Sequence, residues 1–383
     1  MEGAIVILTM ALRFEKISDG HLAEVSAFNR RLSEGGISPD FHLPDRVRPP
    51  ASSAVNSDCY VALDGEVVRG GYLAQWRQFL VAGDTLRLGD FQLPVSEGIV
   101  EKRFAAVGMM LLRHALGLHP YWYTVGMGGL DQPLPRLLKA SGWYLRLAPF
   151  LFRVNHASRF CQEIRALRTS TARKMALDLL AATGLAALAC RGLQWRSLRS
   201  PGRQWDVDLP TSYEGWADRL WDGAKDGYSL CAERDALILG HSYPLGPLYH
   251  CVRIRRGGTA VAWAIICVSE LEDNAYFGGL RLGIVLDCFG EPEAAPAAAF
   301  HAARILDEMG AELCATNQTA CAWLDAFRRA GFLDGPSNYG VSLSKAVVEK
   351  LSVALDWEKT MHVTRGDGDG RVNLLRRYLR EQP

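Results

Sequence analysis

The stretch Arg103-Phe104-Ala105-Ala106-Val107-Gly108, continued by Met109-Met110-Leu111-Leu112, decides how this sequence is read. Phe104, Val107, Leu111, Leu112 and Leu116 recur at helical spacing, which predicts a helix over 104–118. What precedes it is extended: Cys59 to Leu63, Val67 to Val81 and Thr85 to Val95, separated by the turn pairs Asp64-Gly65 and Gly83-Asp84. The chain therefore passes from a strand into a helix through small residues. Ala106 and Gly108 keep Cβ bulk away from the main chain, so a ligand can approach it closely. The free N–H groups of the helix start, backed by the helix dipole, favour an anion. A pyrophosphate fits such a turn. An ordinary helix N-terminus is the plain alternative for the same residues.

Working outward, residues 11–18 read as a strand, and Leu22, Val25, Phe28 and Leu32 mark a helix that Gly35-Gly36 ends. Pro39 to Pro50 is loop. Beyond the 104–118 helix come a strand at Tyr121–Val125, a helix at Pro133–Ala140 and a strand pair over Tyr144–Val154. The order β-α-β-β-β-α-β-α-β-β predicts a mixed α/β fold with an antiparallel meander before a βαβ crossover. From about residue 205 the pattern restarts, with strands at 248–256, 259–268 and 280–288 and an Ala-rich helix at 294–309. A further strand, helix and strand follow at 311–316, 320–330 and 338–343. An offset of 189 residues puts Arg103 on Pro292, Ala106 on Ala295, Leu111 on Phe300, Gly142 on Gly331 and Trp143 on Phe332. Self-similarity at a fixed offset indicates a duplicated domain. The expected organisation is one domain over 1–155, a basic helical linker over 156–204, a degenerate second copy over 205–348 and a tail over 349–383.

RFAAVG resembles the Gln/Arg-x-x-Gly/Ala-x-Gly/Ala signature of the GNAT superfamily of N-acetyltransferases. The helix GMMLLRHAL is similar to that family's G-x-x-L-L helix. The strand YWYTVGM and the later LLKASGW look like its fifth strand and its helix ending in Gly-Phe. The resemblance covers residues 11–155 and, more faintly, 205–345, where CATNQTACAWLDAFRRAGF carries it. The second turn, Pro292-Glu293-Ala294-Ala295-Pro296-Ala297, lacks the basic residue, and its two prolines remove N–H donors. Only the first copy is expected to hold coenzyme A.

The resemblance implies acyl transfer from acyl-CoA, acetyl-CoA above all, to an amine of a small molecule or amino-sugar precursor. The cofactor positions it implies are Leu93, Val95, Arg103, Phe104, Ala105, Ala106, Val107, Gly108 and Met109. An amine attacks the thioester, a base takes its proton and a backbone N–H polarises the carbonyl. Asp90 and Glu97, near the fourth strand, are candidate bases, and each can also be read as a solvated carboxylate. The family's tyrosine acid, four residues before the Gly-aromatic pair, is replaced by Leu138 and, in the second copy, by Phe327. Tyr123 and Tyr144 are substitutes, although each also reads as a core tyrosine. Two rivals stand beside acyl transfer. One is a Fem-type aminoacyl transferase, which would use aminoacyl-tRNA and need no coenzyme A turn. The other is a non-catalytic coenzyme A-binding module.

The 383 residues carry 43 Lys and Arg against 42 Asp and Glu, so a nucleic-acid binder working by phosphate neutralisation is not expected. The nine cysteines show no C-x-x-C spacing, so no metal is expected, and they read as buried thiols of a cytoplasmic protein. The apolar run from Ala4 to Leu12 lacks a basic flank and is too short to span a bilayer. Within 153–204, ten Arg and Lys residues face only Glu163 and Asp178. That segment reads as an interdomain helix pair or as a peripheral contact with anionic lipid. Thr364-Arg365-Gly366-Asp367-Gly368-Asp369-Gly370 lacks the further oxygen ligands of a calcium loop. It reads as a Gly-rich turn or as a substrate loop in which Asp367 or Asp369 holds the acceptor. It is also similar to tails of tandem GNAT-like proteins tied to bacterial surface-polysaccharide synthesis. Monomer and homodimer both fit the sequence.

Overall fold

The computed structural model describes residues 11–45, 56–202 and 204–368, apart from the side chains of 195–197. The expectations placed on Ala4–Met10, Asp369 and residues beyond it lie outside these residues.

The first half runs β1 (Arg13–Lys16), α1 (Leu22–Glu34), β2 (Asn56–Asp64), β3 (Val67–Val81), β4 (Asp84–Ser96), α2 (Val107–Leu118), β5 (Trp122–Val125), α3 (Pro133–Ala140), β6 (Tyr144–Leu147) and β7 (Phe150–Val154). The joint holds α4 (Ala157–Glu163), α5 (Thr171–Thr183) and α6 (Leu185–Ser197). The second half runs β8 (Asp206–Asp208), α7 (Ala217–Ala224), β9 (Leu230–Ala232), α8 (Ala236–Ser242), β10 (His250–Arg256), β11 (Thr259–Glu270), β12 (Arg281–Gly290) and α9 (Ala295–Glu308). It continues with β13 (Leu313–Asn317), α10 (Cys321–Arg329), β14 (Leu333–Gly335), β15 (Gly340–Leu343), α11 (Lys345–Leu351), α12 (Trp357–Thr360) and β16 (Met361–His362).

Two mixed sheets result. One has the order β1-β2-β3-β4-β5-β15-β6, with β9 and β16 added at β3, and the other has the order β14-β7-β13-β12-β11-β10-β8. The same 189-residue offset found in the sequence superposes α2 on α9, α3 on α10, β6 on β14 and β7 on β15, with ends agreeing to within a residue or so. Each copy then lends one strand to the other. β7 lies between β13 and β14 in the second sheet, and β15 lies between β5 and β6 in the first. The reason is local. Pro149 and Pro336 follow β6 and β14, and proline has no N–H for a ladder and biases its predecessor toward extended backbone. A hairpin is blocked and the strand crosses. The two crossings meet: the Ala148 N–H donates to the Tyr339 carbonyl at 2.8 Å, and the Ser337 hydroxyl donates to the Ala148 carbonyl at 2.5 Å.

The first-half core lies on both faces of its sheet. Phe91, Phe104, Val107, Leu111, Trp122 and Leu138 pack between the sheet and helices α2 and α3. Leu88, Tyr123, Val341, Met361 and Val363 pack on the opposite face. Fully burying each large apolar side chain contributes about 1.5–3 kcal/mol, so the position of α2 is fixed by packing. All nine cysteines are unpaired thiols, and all but Cys190 and Cys321 are buried.

Candidate active site

A 3-10 turn, Lys102–Phe104, leads through Ala105 and Ala106, both already in helical backbone, into α2. Phe104 is buried and anchors the turn, whereas Arg103, Ala105, Ala106 and Met109 are exposed. The chain behind the turn approaches it very closely. A Cβ on Gly98 would lie 2.6 Å from the Phe104 carbonyl oxygen and 2.8 Å from Ala105 Cα, so only glycine fits there. Gly108 has room, since its nearest neighbour for a Cβ is Ser96 Oγ at 3.8 Å. The first N–H groups of α2 have no partner inside the helix, and exposed small residues surround them. This helix start is open to solvent.

Glu97 sits behind the turn with its carboxylate nearly buried. It accepts from Arg31 Nε at 2.8 Å and from Arg69 Nη1 at 2.9 Å, and the Arg69 guanidinium lies 4.3 Å from the Phe104 ring centre. The Arg103 guanidinium lies 4.6 Å from the same ring centre and pairs with Glu101. Glu97 thus ties α1, β3 and the turn together.

The β4 and β5 strands are parallel and pair at only two positions, Gly89 with Trp122 and Asp90 with Tyr123. Past that point they separate. Leu93, with φ of 47°, and Pro94 form a bulge where two β4 residues oppose Tyr72 alone. The bulge lifts Leu93 and Pro94 out of the β3 ladder beside the opening, and pairing resumes at Val95 opposite Gly71. Gln92, Leu93, Pro94 and Gly126–Gly129 are partly exposed along it.

Asp90 is fully buried at the closed end of this opening, where Gln92 Nε2 donates to its Oδ2. Tyr123 stands beside it on β5, and its hydroxyl donates to the Asp367 carbonyl at 3.2 Å. Burial, reinforced by the Asp90 charge, holds the Tyr123 phenol well above its ordinary range. The structure therefore brings Asp90, Tyr123 and Asp367 together and places Glu97 with the turn.

The Asp367 side chain is the centre of a buried network. Its carboxylate accepts from Arg77 Nη1 at 3.2 Å and from Arg234 Nη2 at 2.9 Å, and Arg234 also binds Asp287 at 3.0 Å. Tyr243 and Thr364 each donate to Asp287 at 3.0 Å. Burial works against the Asp367 carboxylate, but Arg234 and Arg77 outweigh it and hold the group below its usual range. For Asp287 burial prevails over Arg234, with the Asp367 charge adding to it, and the group is raised. His362, whose Nε2–H donates to the Cys288 carbonyl at 2.6 Å, is pushed down to about 3 by burial and then by Arg234. It is a neutral ring wedged against Tyr228 and Trp323. Two arginines and two aspartates from β3, β12, the loop after β9 and the tail thus clamp the two sheets together. Sequence reading placed Asp367 in a substrate loop and did not single out Arg77, Arg234 or Asp287. No signal in the sequence set Arg77 apart, since β3 also carries Arg69, Gln75 and Gln78.

The second copy is closed where the first is open. Ala294, Ala295, Ala297 and Ala298 at the start of α9 are all fully buried, and Pro296 stands in its first turn. Past the last paired residues, Val285 and Thr316, the space between β12 and β13 is filled by the chain itself. Gln318 bridges Thr364, and Cys288 Sγ lies 3.4 Å from Gln318 Oε1. A separate cavity of about 330 Å³ between the halves is lined by Gln78, Thr85, Trp221, Asp222, Glu233 and Asp235 among others. Among the described residues no group of three His, Cys, Asp or Glu side chains is placed to hold a metal ion.

The fold has counterparts among solved structures. N-myristoyltransferase of Saccharomyces cerevisiae with bound myristoyl-CoA is similar at a TM-score of 0.50 and 10% identity, over 88% of this chain and 83% of that one. The chain has a tandem GNAT fold. A GCN5-related N-acetyltransferase from Anabaena variabilis matches at a TM-score of 0.48 and 9% identity, over 86% of this chain and 72% of that one. No family profile and no curated protein matches the sequence. Nothing in these comparisons bears on the surface-polysaccharide likeness of the tail.

Proposed function

We propose that the chain is an N-acyltransferase that takes its acyl group from coenzyme A in its first half. One observation carries this reading: the first copy keeps an exposed, small-residue helix start beside an open strand pair, while the second copy has both buried. A fold that needed these features only for packing would have closed them alike. In this reading the N–H groups from Ala106 to Met109 hold the pyrophosphate, with Ala105, whose N–H donates to the Lys102 carbonyl, and Arg103 at the rim. Leu93, lifted out of the ladder by the bulge, runs alongside the pantetheine, and Val95, back in the ladder opposite Gly71, backs it. The acceptor amine attacks the thioester carbonyl, the C–N bond forms, the C–S bond breaks and the thiol leaves with a proton. Asp90 accepts the amine proton. Glu97 is committed to Arg31 and Arg69 and acts by shaping the turn.

The acceptor is an amine of a small molecule or amino sugar, and the acyl group is acetyl or longer. The Fem-type alternative needs a basic groove of tRNA size. Arg159, Arg165 and Arg168 of the basic segment are instead paired with Glu312, Asp273 and Asp178. The binding-module reading has one observation in its favour: Leu138 stands fully buried where a tyrosine acid would be. Thiol release from acetyl-CoA and longer acyl-CoAs across an amine panel, run beside calorimetric titration with coenzyme A, separates the readings. Turnover with any amine supports the enzyme. Tight binding without thiol release supports the binding module, and no binding removes both.

A further inference from the structure

α5 and α6 form a bent pair, 85° apart, joined at Gly184. Gly184 has φ of 72°, the left-handed backbone that favours glycine, and it stops α5 and starts α6 in one residue. The pair wears its apolar residues on the wrong side for a soluble surface. The residues that pack against the body are Leu177, Ala181, Ala186, Ala187 and Cys190, of which only Ala181 and Ala186 are fully buried. Met175 (67% exposed), Leu179 (65%) and Ala182 lie at i, i+4 and i+7 on the outward face of α5. On α6, Leu185 (53%), Leu188 (67%) and Leu193 (52%) face outward too. An ordinary surface helix has the reverse arrangement, and a contiguous exposed apolar patch marks an interaction site.

Charge identifies the partner. Arg173, Lys174 and Arg191 flank the patch and have no carboxylate partner among the described residues. Asp178, the one acid on the two helices, is neutralised by Arg168. Length decides the mode. Each arm has 13 residues and so extends about 20 Å at 1.5 Å per residue, short of a hydrocarbon core roughly 30 Å thick. With an 85° bend the pair cannot cross as one rod.

We infer that α5 and α6 seat the protein on an anionic membrane surface, their leucines in the interface and Arg173, Lys174 and Arg191 on lipid phosphates. The seat is independent of the acyl-transfer reading, because none of its residues belongs to the coenzyme A turn. The test is co-sedimentation of the full-length protein with phosphatidylcholine vesicles with and without phosphatidylglycerol. Binding is expected with phosphatidylglycerol at low salt and is expected to weaken as salt rises. Neutralising Arg173, Lys174 and Arg191 to Gln should weaken it by about fivefold per residue. M175Q/L179Q/L188Q should abolish it while leaving the thermal unfolding transition in place, since these side chains are exposed. Light scattering of the free protein supplies the opposing outcome. A dimer that this triple variant dissociates means a second copy covers the patch, and the membrane assignment falls. It also falls if wild-type protein ignores anionic vesicles at low salt.

Discussion

Substituting Gly108 by glutamate tests the coenzyme A turn most directly. Gly108 is in the first turn of α2, and a Cβ there meets nothing closer than 3.8 Å, so the side chain can be built without moving the backbone. The added carboxylate then sits at the mouth of the proposed pyrophosphate site. Two unit charges 4 Å apart repel by about 1 kcal/mol in water and about 4 kcal/mol at an effective dielectric of 20. Coenzyme A should therefore bind roughly 5- to 1000-fold more weakly, and the pyrophosphate's second charge places the effect toward the upper end. Gly117→Glu is the matched control. It also has open space for a Cβ and lies near the other end of α2, about 14 Å along the axis. That separation exceeds the Debye length of roughly 8–10 Å at ordinary salt, so the same change in net charge should leave affinity within about twofold. Isothermal titration of both variants at one ionic strength gives the comparison, with circular dichroism to show that both are folded. Equal affinities for Gly108→Glu and the wild-type protein would refute the turn as the pyrophosphate site. Equal losses in both variants would show a long-range charge effect and refute it as well.

Three further outcomes follow from the geometry. Asp90→Asn should lower kcat by roughly a hundredfold or more while leaving coenzyme A affinity unchanged, the pattern of a lost proton acceptor, and steady-state kinetics with titration read both. Asp367→Asn leaves Arg77 with no carboxylate and Arg234 with Asp287 alone in a dry interior, so urea denaturation at neutral pH should show a loss on the order of 3–5 kcal/mol, whereas exposed Asp325→Asn should change stability by less than about 0.5 kcal/mol. His362 is held neutral in the fold, its pKa moved from 6.5 to about 3, so the unfolded chain takes up its proton first as pH falls below 6.5; the stability margin of the wild-type protein over His362→Phe should shrink by about 1.4 kcal/mol per pH unit below 6.5, and a margin independent of pH would contradict the buried neutral ring.

Much of the fold was legible because its signals are local. The apolar spacing from Val107 to Leu116 is what α2 buries, and the 189-residue offset reappears as matched helices and strands. The exchange of β7 and β15 was not legible. Phe150–Val154 reads as a strand whichever sheet receives it, because alternation encodes faces and not partners. Pro149 and Pro336, each within two residues after β6 and β14, were the usable hint. The site divides in the same way. The helix start is a local signal, and α2 does begin at Val107 after a 3-10 turn. Asp90 and Tyr123 were named separately, and only the two-residue pairing of β4 with β5 makes them neighbours. Asp367 was singled out for chemistry, whereas the structure spends its carboxylate on Arg77 and Arg234. Those partners lie 290 and 133 residues away, beyond the reach of any spacing rule.

The clamp and the strand exchange together explain why a second copy without a coenzyme A turn would be kept. Without β15, the first sheet would lose the only strand joining β5 to β6, since β5 pairs with β4 on one side and β15 on the other. Without Asp287 and Arg234, Asp367 would lose one of its two guanidinium partners, and the tail would lose the anchor that sets it against Tyr123. Asp90 and Tyr123 share the buried face on which that tail lies. The geometry of the open strand pair in the first half is thus held from behind by residues of the second. A duplicate can lose its own ligand and still be needed, provided that it supplies a strand and a charge to its neighbour. The second copy has buried alanines and Pro296 at a helix start packed into the body, at the position where the first copy keeps an opening.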